Sequence, residues 1–379
     1  MKASILLIIP VVLSFCADAQ NPDTARIAAI EPDSIALAPL IYLASDQLQG
    51  RCIGSPGLEA AANYIVAQLR KSGARPVPGA TSYFQVFKRP FFRHDLDRVH
   101  IGTKYNVPLG SSYKGVVLKN IVACIPGTDP ILRKQYIMLS AHYDHIGIAD
   151  TPTIEAAKED SIFNGARDNA TGTAAVIAAG RYFGKYPPKR SVLLIFFTAE
   201  EEGEWGSDYY TVHPLVPPDK TIFDLNVDNA GYNTTHAICL FGRGRTTADT
   251  LIEKACRQYG LGVLSEPPGL ELFERSDNYN VAQLGIPSPC FSLGLTQWDQ
   301  AIDRYYHRLS DEVDNMDLAY VVRFIRAYIL SAQYIANDPV QPRWTAGDVF
   351  EKLWLNLYAS PSHLSASPQP AVLPPPAHP

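Results

Sequence analysis

The sequence predicts an α/β fold, a sheet of buried strands joined by crossover helices, and three observations carry that expectation. Residues 136–140, 192–197 and 222–227 are continuous or nearly continuous apolar runs, as strands become when helices cover both faces of a sheet. An Ala-rich helical stretch, 173–183, stopped by Gly184 and Pro187, lies between the first two runs, and strand, helix, strand in that order makes the connection a crossover. With 379 residues, 46% of them hydrophobic, the chain can bury a large core, and one large domain is expected.

Taken from the N-terminus, residues 1–19 carry Lys2, an apolar run over 5–15 and the small-x-small pattern Ala17-Asp18-Ala19. This reads as a signal peptide, with the mature chain starting at Gln20 and a secreted or periplasmic destination. The run is broken by Pro10 and too short to cross roughly 30 Å of hydrocarbon, so no membrane-spanning helix is expected after cleavage. Lipoprotein anchoring through Cys16 is the lesser alternative, because bulky Phe15 precedes it.

Residues 20–34 are polar and expected to be a flexible segment, and 35–337 to form the domain. Helices are predicted over 37–48 and 58–69. The second is the clearer, with Leu58, Ala61, Ala62, Ile65 and Leu69 at helical spacing, Pro56 and Gly57 ahead and Gly73 as a stop. Short β-rich pieces follow, including 83–86 and 116–125. Further on, 237–241 and 289–293 read as strands and 247–258 as a helix. A last helix follows Asn315, its stripe formed by Leu318, Val321, Val322, Ile325, Ile329 and Ala332 with Arg323 and Arg326 off it. Residues 338–379 are a C-terminal extension dense in proline, ending in a Pro-rich tail over 368–379 that reads as a spacer.

The 33 basic and 38 acidic residues give a net charge of -5, with no basic block to track a phosphate backbone, so nucleic acid is not an expected partner. After cleavage five cysteines remain, an odd number and none in a CxxC pair; they read as small buried apolar side chains.

The chemistry-bearing residues gather where strands end. Ala141-His142-Tyr143-Asp144-His145 follows the first buried run, and His142 and Asp144, two apart, point to one side in extended backbone. A carboxylate there can hold the far N–H of a metal-bound imidazole. Asn164-Gly165-Ala166-Arg167-Asp168-Asn169-Ala170-Thr171-Gly172 precedes the Ala-rich helix, and its glycines let backbone approach a ligand while Asp168 has two oxygens to offer two cations. Glu200, Glu201 and Glu202 follow the second run; three adjacent carboxylates there repel and resist burial unless a cation faces them. Neighbouring positions diverge, so one glutamate can bind metal while another takes a proton. Asp228 ends the third run, and His307 lies in Tyr305-Tyr306-His307 ahead of the last helix. Each piece has an ordinary reading, as a surface HxD, a helix cap or a solvated acidic turn. Together they supply two histidines and three carboxylates where open α/β sheets place their sites, a thiolate-free set suited to zinc, with cobalt or manganese as substitutes.

In order and wording these pieces resemble the zinc-dependent aminopeptidases of the co-catalytic metallopeptidases, bacterial exported leucyl-aminopeptidase-like type. The likeness runs from about residue 37 to 335 and includes Tyr42-Leu43-Ala44-Ser45-Asp46 with Gly50-Arg51, and Ser82-Tyr83-Phe84-Gln85. It implies a single-domain three-layer sandwich with a mixed, mainly parallel sheet flanked by helices. It implies two zinc ions, one on His142 and Asp228, the other on Glu201 and His307, with Asp168 bridging, Asp144 orienting His142 and Glu200 as general base. It also implies a cis bond after Asp168. The activity implied is hydrolysis of N-terminal residues from peptides with a free N-terminus, through a metal-activated bridging water whose proton Glu200 takes. The chain departs from the commonest wording at Arg167, at Asn229-Ala230, and at Asn278, a place near the substrate where many relatives carry histidine.

Two alternatives stand beside this reading. A single-zinc glutaminyl cyclase on the same fold generally lacks the first histidine, which His142 with Asp144 supplies here. A metal-free binding module should show substitutions among the ligands or at Glu200, and all six are intact.

Overall fold

A computed structural model describes residues 21–89, 103–104, 116–155 and 158–358. The expected signal segment, Cys16 and the Pro-rich tail lie outside these residues.

Two helices open the described chain, α1 (Pro22–Ile30) and α2 (Asp33–Leu43), followed by α3 (Pro56–Ser72). α1 corrects an expectation, since 20–34 read as flexible. Asn21 caps the helix by accepting from the Asp23 N–H, Ile27 is fully buried, and buried Glu31 accepts from Arg181 Nε at 2.7 Å and Nη2 at 2.5 Å. These partners are distant in sequence, so local polarity hid the helix. α3 begins and ends as its sequence signals require: Ser55 accepts from the Leu58 N–H, and Gly73 closes the helix at φ 82°.

The strands are β1 (Phe84–Arg89), β2 (Thr103–Lys104), β3 (Val116–Ile125), β4 (Tyr136–His142), β5 (Ile148–Glu155), β6 (Lys158–Ile162), β7 (Ser191–Phe197), β8 (Thr221–Val227), β9 (Ala237–Phe241), β10 (Gly262–Ser265) and β11 (Cys290–Leu293). Eight form one sheet in the order β1-β3-β7-β4-β8-β11-β9-β10. Its centre, β7-β4-β8-β11, is parallel, while β1, β3 and the β11–β9 pairing are antiparallel. Strands β2, β5 and β6 form a small separate antiparallel sheet.

Helices cover both faces, making an α/β sandwich with a mixed, mainly parallel central sheet. α4 (Gly172–Lys185) is buried from Gly172 to Gly180 and packs between the sheet and α2, α3 and the long α9 (Leu318–Asn337). Its small residues permit that depth: a Cβ on Gly184 would come within 1.8 Å of the Ser72 carbonyl oxygen. Between them in the chain lie α5 (Trp205–Val212), α6 (Asp249–Arg257), α7 (Asn278–Ala282) and α8 (Gln300–Asp303), and α10 (Glu351–Tyr358) ends the described chain. The start of the expected C-terminal extension docks on the sandwich, with Trp344 Nε1 donating to the Gly285 carbonyl at 3.0 Å. Cys52, Cys124, Cys239, Cys256 and Cys290 are all buried, and no disulfide joins any two of them.

Candidate metal centre

Every candidate side chain stands at the carboxyl end of the central parallel strands or in a loop beside it. His142 is the last residue of β4, with His145 three positions on. β4 is flanked by β7 on one side and β8 on the other, so Glu200 and Glu201 after β7 and Asp228 after β8 converge on His142 from both sides. Asp168 comes from the loop leading into α4, and His307 from the loop between α8 and α9.

The loops are braced through backbone groups. Ala199 turns the chain at φ 57°, sending the two following glutamates in different directions. Asp144, fully buried, accepts from the Glu200 N–H at 3.3 Å and the Glu201 N–H at 3.4 Å. Its Oδ1 is 3.8 Å from His142 Nδ1, an ion-pair separation rather than a hydrogen bond, so Asp144 fixes the glutamate turn more directly than the histidine. Asp311 secures the Asp168 loop, accepting from the Arg167 N–H at 3.0 Å, the Asp168 N–H at 3.2 Å and Arg167 Nη1 at 2.8 Å. The two unusual residues beside the ligands belong to this bracing: the Arg167 guanidinium also stacks 3.8 Å from the Tyr305 ring centroid, and Asn229 donates to Asn169 at 2.9 Å. The Asp168–Asn169 bond is cis.

Two groups of ligand atoms result, His142 with Glu200 and Asp228, and His145 with Asp168, Glu201 and His307. Asp168 reaches into both, with Oδ1 at 3.3 Å from His142 Nε2 and Oδ2 at 3.0 Å from His307 Nε2. His142 Nε2 lies 3.1 Å from Asp228 Oδ1, and His307 Nε2 3.1 Å from Glu201 Oε2. Zinc held at about 2.0–2.1 Å in a tetrahedron sets its ligand atoms about 3.3 Å apart. The observed spacings fit such an ion, and the all-nitrogen-and-oxygen donor set suits zinc.

The electrostatics also call for cations. Burial works against a charged His142, yet Asp228, Glu200 and Asp168 hold its imidazole well above the usual value. His307 is likewise opposed by burial but raised to about 10 by Glu201 and Asp168. The neighbouring glutamates separate: burial, reinforced by Asp228, lifts Glu200 well above the ordinary carboxylate range. For Glu201 burial pulls the same way, but His307 and His145 outweigh it and hold the group well below. Buried Asp277 is driven to about 8 by desolvation.

The model of Peptidase family M28 matches residues 120–331. The chain belongs to that family. That family is one of peptidases, and the histidines and carboxylates gathered here form groups able to hold metal ions. A vacuolar membrane protease of Candida glabrata is 24% identical over 223 residues, 58% of this chain but 21% of that protein, so the chain spans about a fifth of that relative's length. Among solved structures, the LapA aminopeptidase of Legionella pneumophila superposes with a TM-score of 0.59 at 18% identity, covering 89% of this chain and 78% of that one. The glutaminyl cyclase of Porphyromonas gingivalis gives 0.54 at 16% identity, covering 79% and 96%. At these identities the likeness establishes a shared fold.

Beside the ligands lies a pocket whose lining includes Asp168, Glu200, Asp228, Phe241, Leu272, Arg275, Ser276, Trp298 and Tyr306. Asn278, expected near the substrate, is not among its lining residues: it is fully buried, its amide donating to the Phe273 carbonyl at 3.0 Å. Asn169, part of a sequon, is also fully buried, so no glycan fits there.

Two residues escaped the sequence reading. Tyr306 stacks on His307, ring centroids 3.9 Å apart, and burial together with Asp168 and Glu201 holds its hydroxyl well above the usual range, leaving a proton donor beside the metal ligands. His145 places Nδ1 2.6 Å from Glu201 Oε1. Both lie in segments already notable for other residues, and a tyrosine or histidine there has too many ordinary uses to stand out.

Proposed function

We propose that this protein is an exported metalloaminopeptidase that removes residues from free peptide N-termini, with two zinc ions held by His142 and Asp228, by Glu201 and His307, and by Asp168 in common. The observation that carries the two-ion reading is Asp168, whose separate oxygens stand 3.3 and 3.0 Å from imidazoles of two different ligand groups. Zinc, when bound, supplies a water acidic enough to be deprotonated near neutral pH and polarises the scissile carbonyl.

The protein's own residues do the rest. Glu200 lines the pocket and is the carboxyl group of the pair with raised proton affinity, which suits it to accept the water's proton and pass it to the departing amine. Tyr306 offers its hydroxyl to the oxygen that gains charge at the carbonyl. Asp144 keeps Glu200 and Glu201 facing different ways through their backbone N–H groups. Carboxylates on the pocket wall favour a substrate's ammonium group, and Phe241, Leu272 and Trp298 favour an apolar first side chain. Residues 35–337 form the peptidase domain in this reading, and the first 19 residues direct export; sequencing the mature N-terminus tests the latter, with Gln20 the expected start.

A glutaminyl cyclase shares the fold and is the second reading, but the position of His142 against both Asp168 and Asp228 completes a first ion site that such an enzyme does not need. Mass spectrometry of a peptide library containing Gln-initiated members, with and without chelator, separates the two. Stepwise, chelator-sensitive loss of N-terminal residues is expected; loss of ammonia from the Gln peptides alone would replace the aminopeptidase reading with the cyclase.

A further inference from the structure

We infer that His145 is a positioning residue for Glu201, its Nδ1–H holding one carboxylate oxygen so that Glu201 presents only the other to the metal. The inference rests on the zinc site proposed above and adds a residue that its ligand set does not include.

Distances decide between a ligand and a brace. All four histidine–carboxylate pairs assigned to the ion sites stand 3.0–3.3 Å apart, close to the edge of a zinc tetrahedron. The His145 Nδ1 to Glu201 Oε1 separation is 2.6 Å, too short for two atoms sharing one ion and matched to a charge-assisted hydrogen bond. The two oxygens of Glu201 are therefore divided: Oε1 accepts from His145, while Oε2 lies 3.1 Å from His307 Nε2. A carboxylate cannot donate, so the proton of this bond sits on Nδ1.

The surroundings fit the ring rather than merely admitting it. His145 is 1% exposed, its N–H donates to the Arg51 carbonyl at 3.2 Å, and the ring meets His307 edge-on at 5.6 Å. Gly165, in the loop that carries Asp168, makes room: a Cβ there would come within 2.5 Å of the His145 Cδ2. Nε2 has no hydrogen-bond partner among the described residues, so the single polar anchor of the imidazole is Glu201. An anchored Glu201 stays monodentate and leaves a coordination position free for water or substrate; released, it can turn and chelate with both oxygens.

The test uses the purified chain as wild type, His145→Ala and His145→Asn, the last because its amide returns an N–H near the Nδ1 position. Zinc affinity is measured by competition with a chromophoric chelator, the visible spectrum after cobalt substitution reports coordination number, and Tm confirms folding. The Ala variant is expected to lose zinc affinity at one of its two sites by about 10–100-fold and to show weaker cobalt absorption as Glu201 chelates, with Asn restoring most of both. Wild-type affinity and spectrum in the Ala variant would overturn the inference, reducing His145 to packing. A folded Asn variant as impaired as Ala would overturn it the other way, making the ring itself a ligand. Should Ala fail to fold, His145→Phe, which keeps a ring in the space without a donor, gives the same comparison. A wild-type chain that binds no zinc would remove the underlying site and the inference with it, an outcome distinct from a difference between variants.

Discussion

Replacing Glu200 with glutamine is the sharpest perturbation of the catalytic assignment, because it keeps shape and volume while removing the one group proposed to move protons. Glu200 Oε2 is 3.9 Å from His142 Nε2, further than the 3.1–3.3 Å of the assigned ligands, so an amide there should leave both ions bound. Its folded-state proton affinity is raised, first by burial and then by Asp228, Glu201 and Asp277. Ionised Glu200 therefore costs stability in the metal-free protein, and that cost grows as pH rises from its ordinary 4.5 towards the raised value. The metal-free glutamine variant should accordingly be at least as stable as wild type at pH 7. Loss of a general base costs about 10²–10⁴ in rate, or about 3–5 kcal/mol of transition-state stabilisation. The expected result in a continuous assay with an aminoacyl chromogenic substrate is that fall in kcat with KM little changed, two zinc ions per chain by elemental analysis, and an undiminished Tm. A kcat within tenfold of wild type in a fully loaded variant would refute the role given to Glu200.

Three further outcomes are expected. His307→Ala should leave about one zinc per chain and little activity, since His307 Nε2 stands 3.1 Å from Glu201 Oε2 and 3.0 Å from Asp168 Oδ2; full metal content would remove it from the ligand set. His307 is raised from 6.5 to about 10 in the metal-free protein, so its pairing with carboxylates stabilises that form fully below pH 6.5 and is lost as pH climbs towards 10. Zinc must displace this proton, and apparent zinc affinity, read by calorimetry between pH 6 and 9, should rise with pH. Asp311→Asn breaks a pair whose side chains are only 3% and 1% exposed and should destabilise the fold by about 3–5 kcal/mol in urea unfolding. Because Asp311 also holds the backbone of Arg167 and Asp168, zinc affinity should fall with it.

What the sequence revealed depended on how local the cause was. Strands β4, β7 and β8 were legible because burial on both faces leaves only apolar residues, and their ends then pointed to the residues that converge. Helix α1 was not, because its hold on the core runs through Glu31 and Arg181, 150 positions apart. α10 was hidden for a related reason: it follows a proline-dense stretch and buries no residue fully, and its Tyr358 hydroxyl reaches across to the Thr221 carbonyl. At the site, residue types identified the five metal-ligand candidates and Glu200, and the structure draws all six into contact range. Contacts that depend on side-chain reach were not foreseeable, including Asp144 turning to the glutamate backbone and His145 lying against Glu201.

Arg51 shows why this pocket asks for a dication rather than a protein cation. Its guanidinium is buried among the fields of Asp144, Asp168, Asp311 and Glu201, and desolvation lowers it to about 10, so it stays charged at neutral pH. Yet each hydrogen bond it makes goes to a backbone carbonyl, of Leu43, Tyr143, Asn164 and Gly165. Arg51 thus stitches the loops that carry Asp144 and Asp168 and softens their mutual repulsion at a distance, while the carboxylate oxygens keep their lone pairs. Had it reached Asp168 directly, its donors would occupy the oxygens that stand 3.3 and 3.0 Å from His142 and His307. An Arg51→Lys replacement, keeping charge but unable to span four carbonyls, should therefore loosen the loops and weaken zinc binding although the net charge of the site is unchanged.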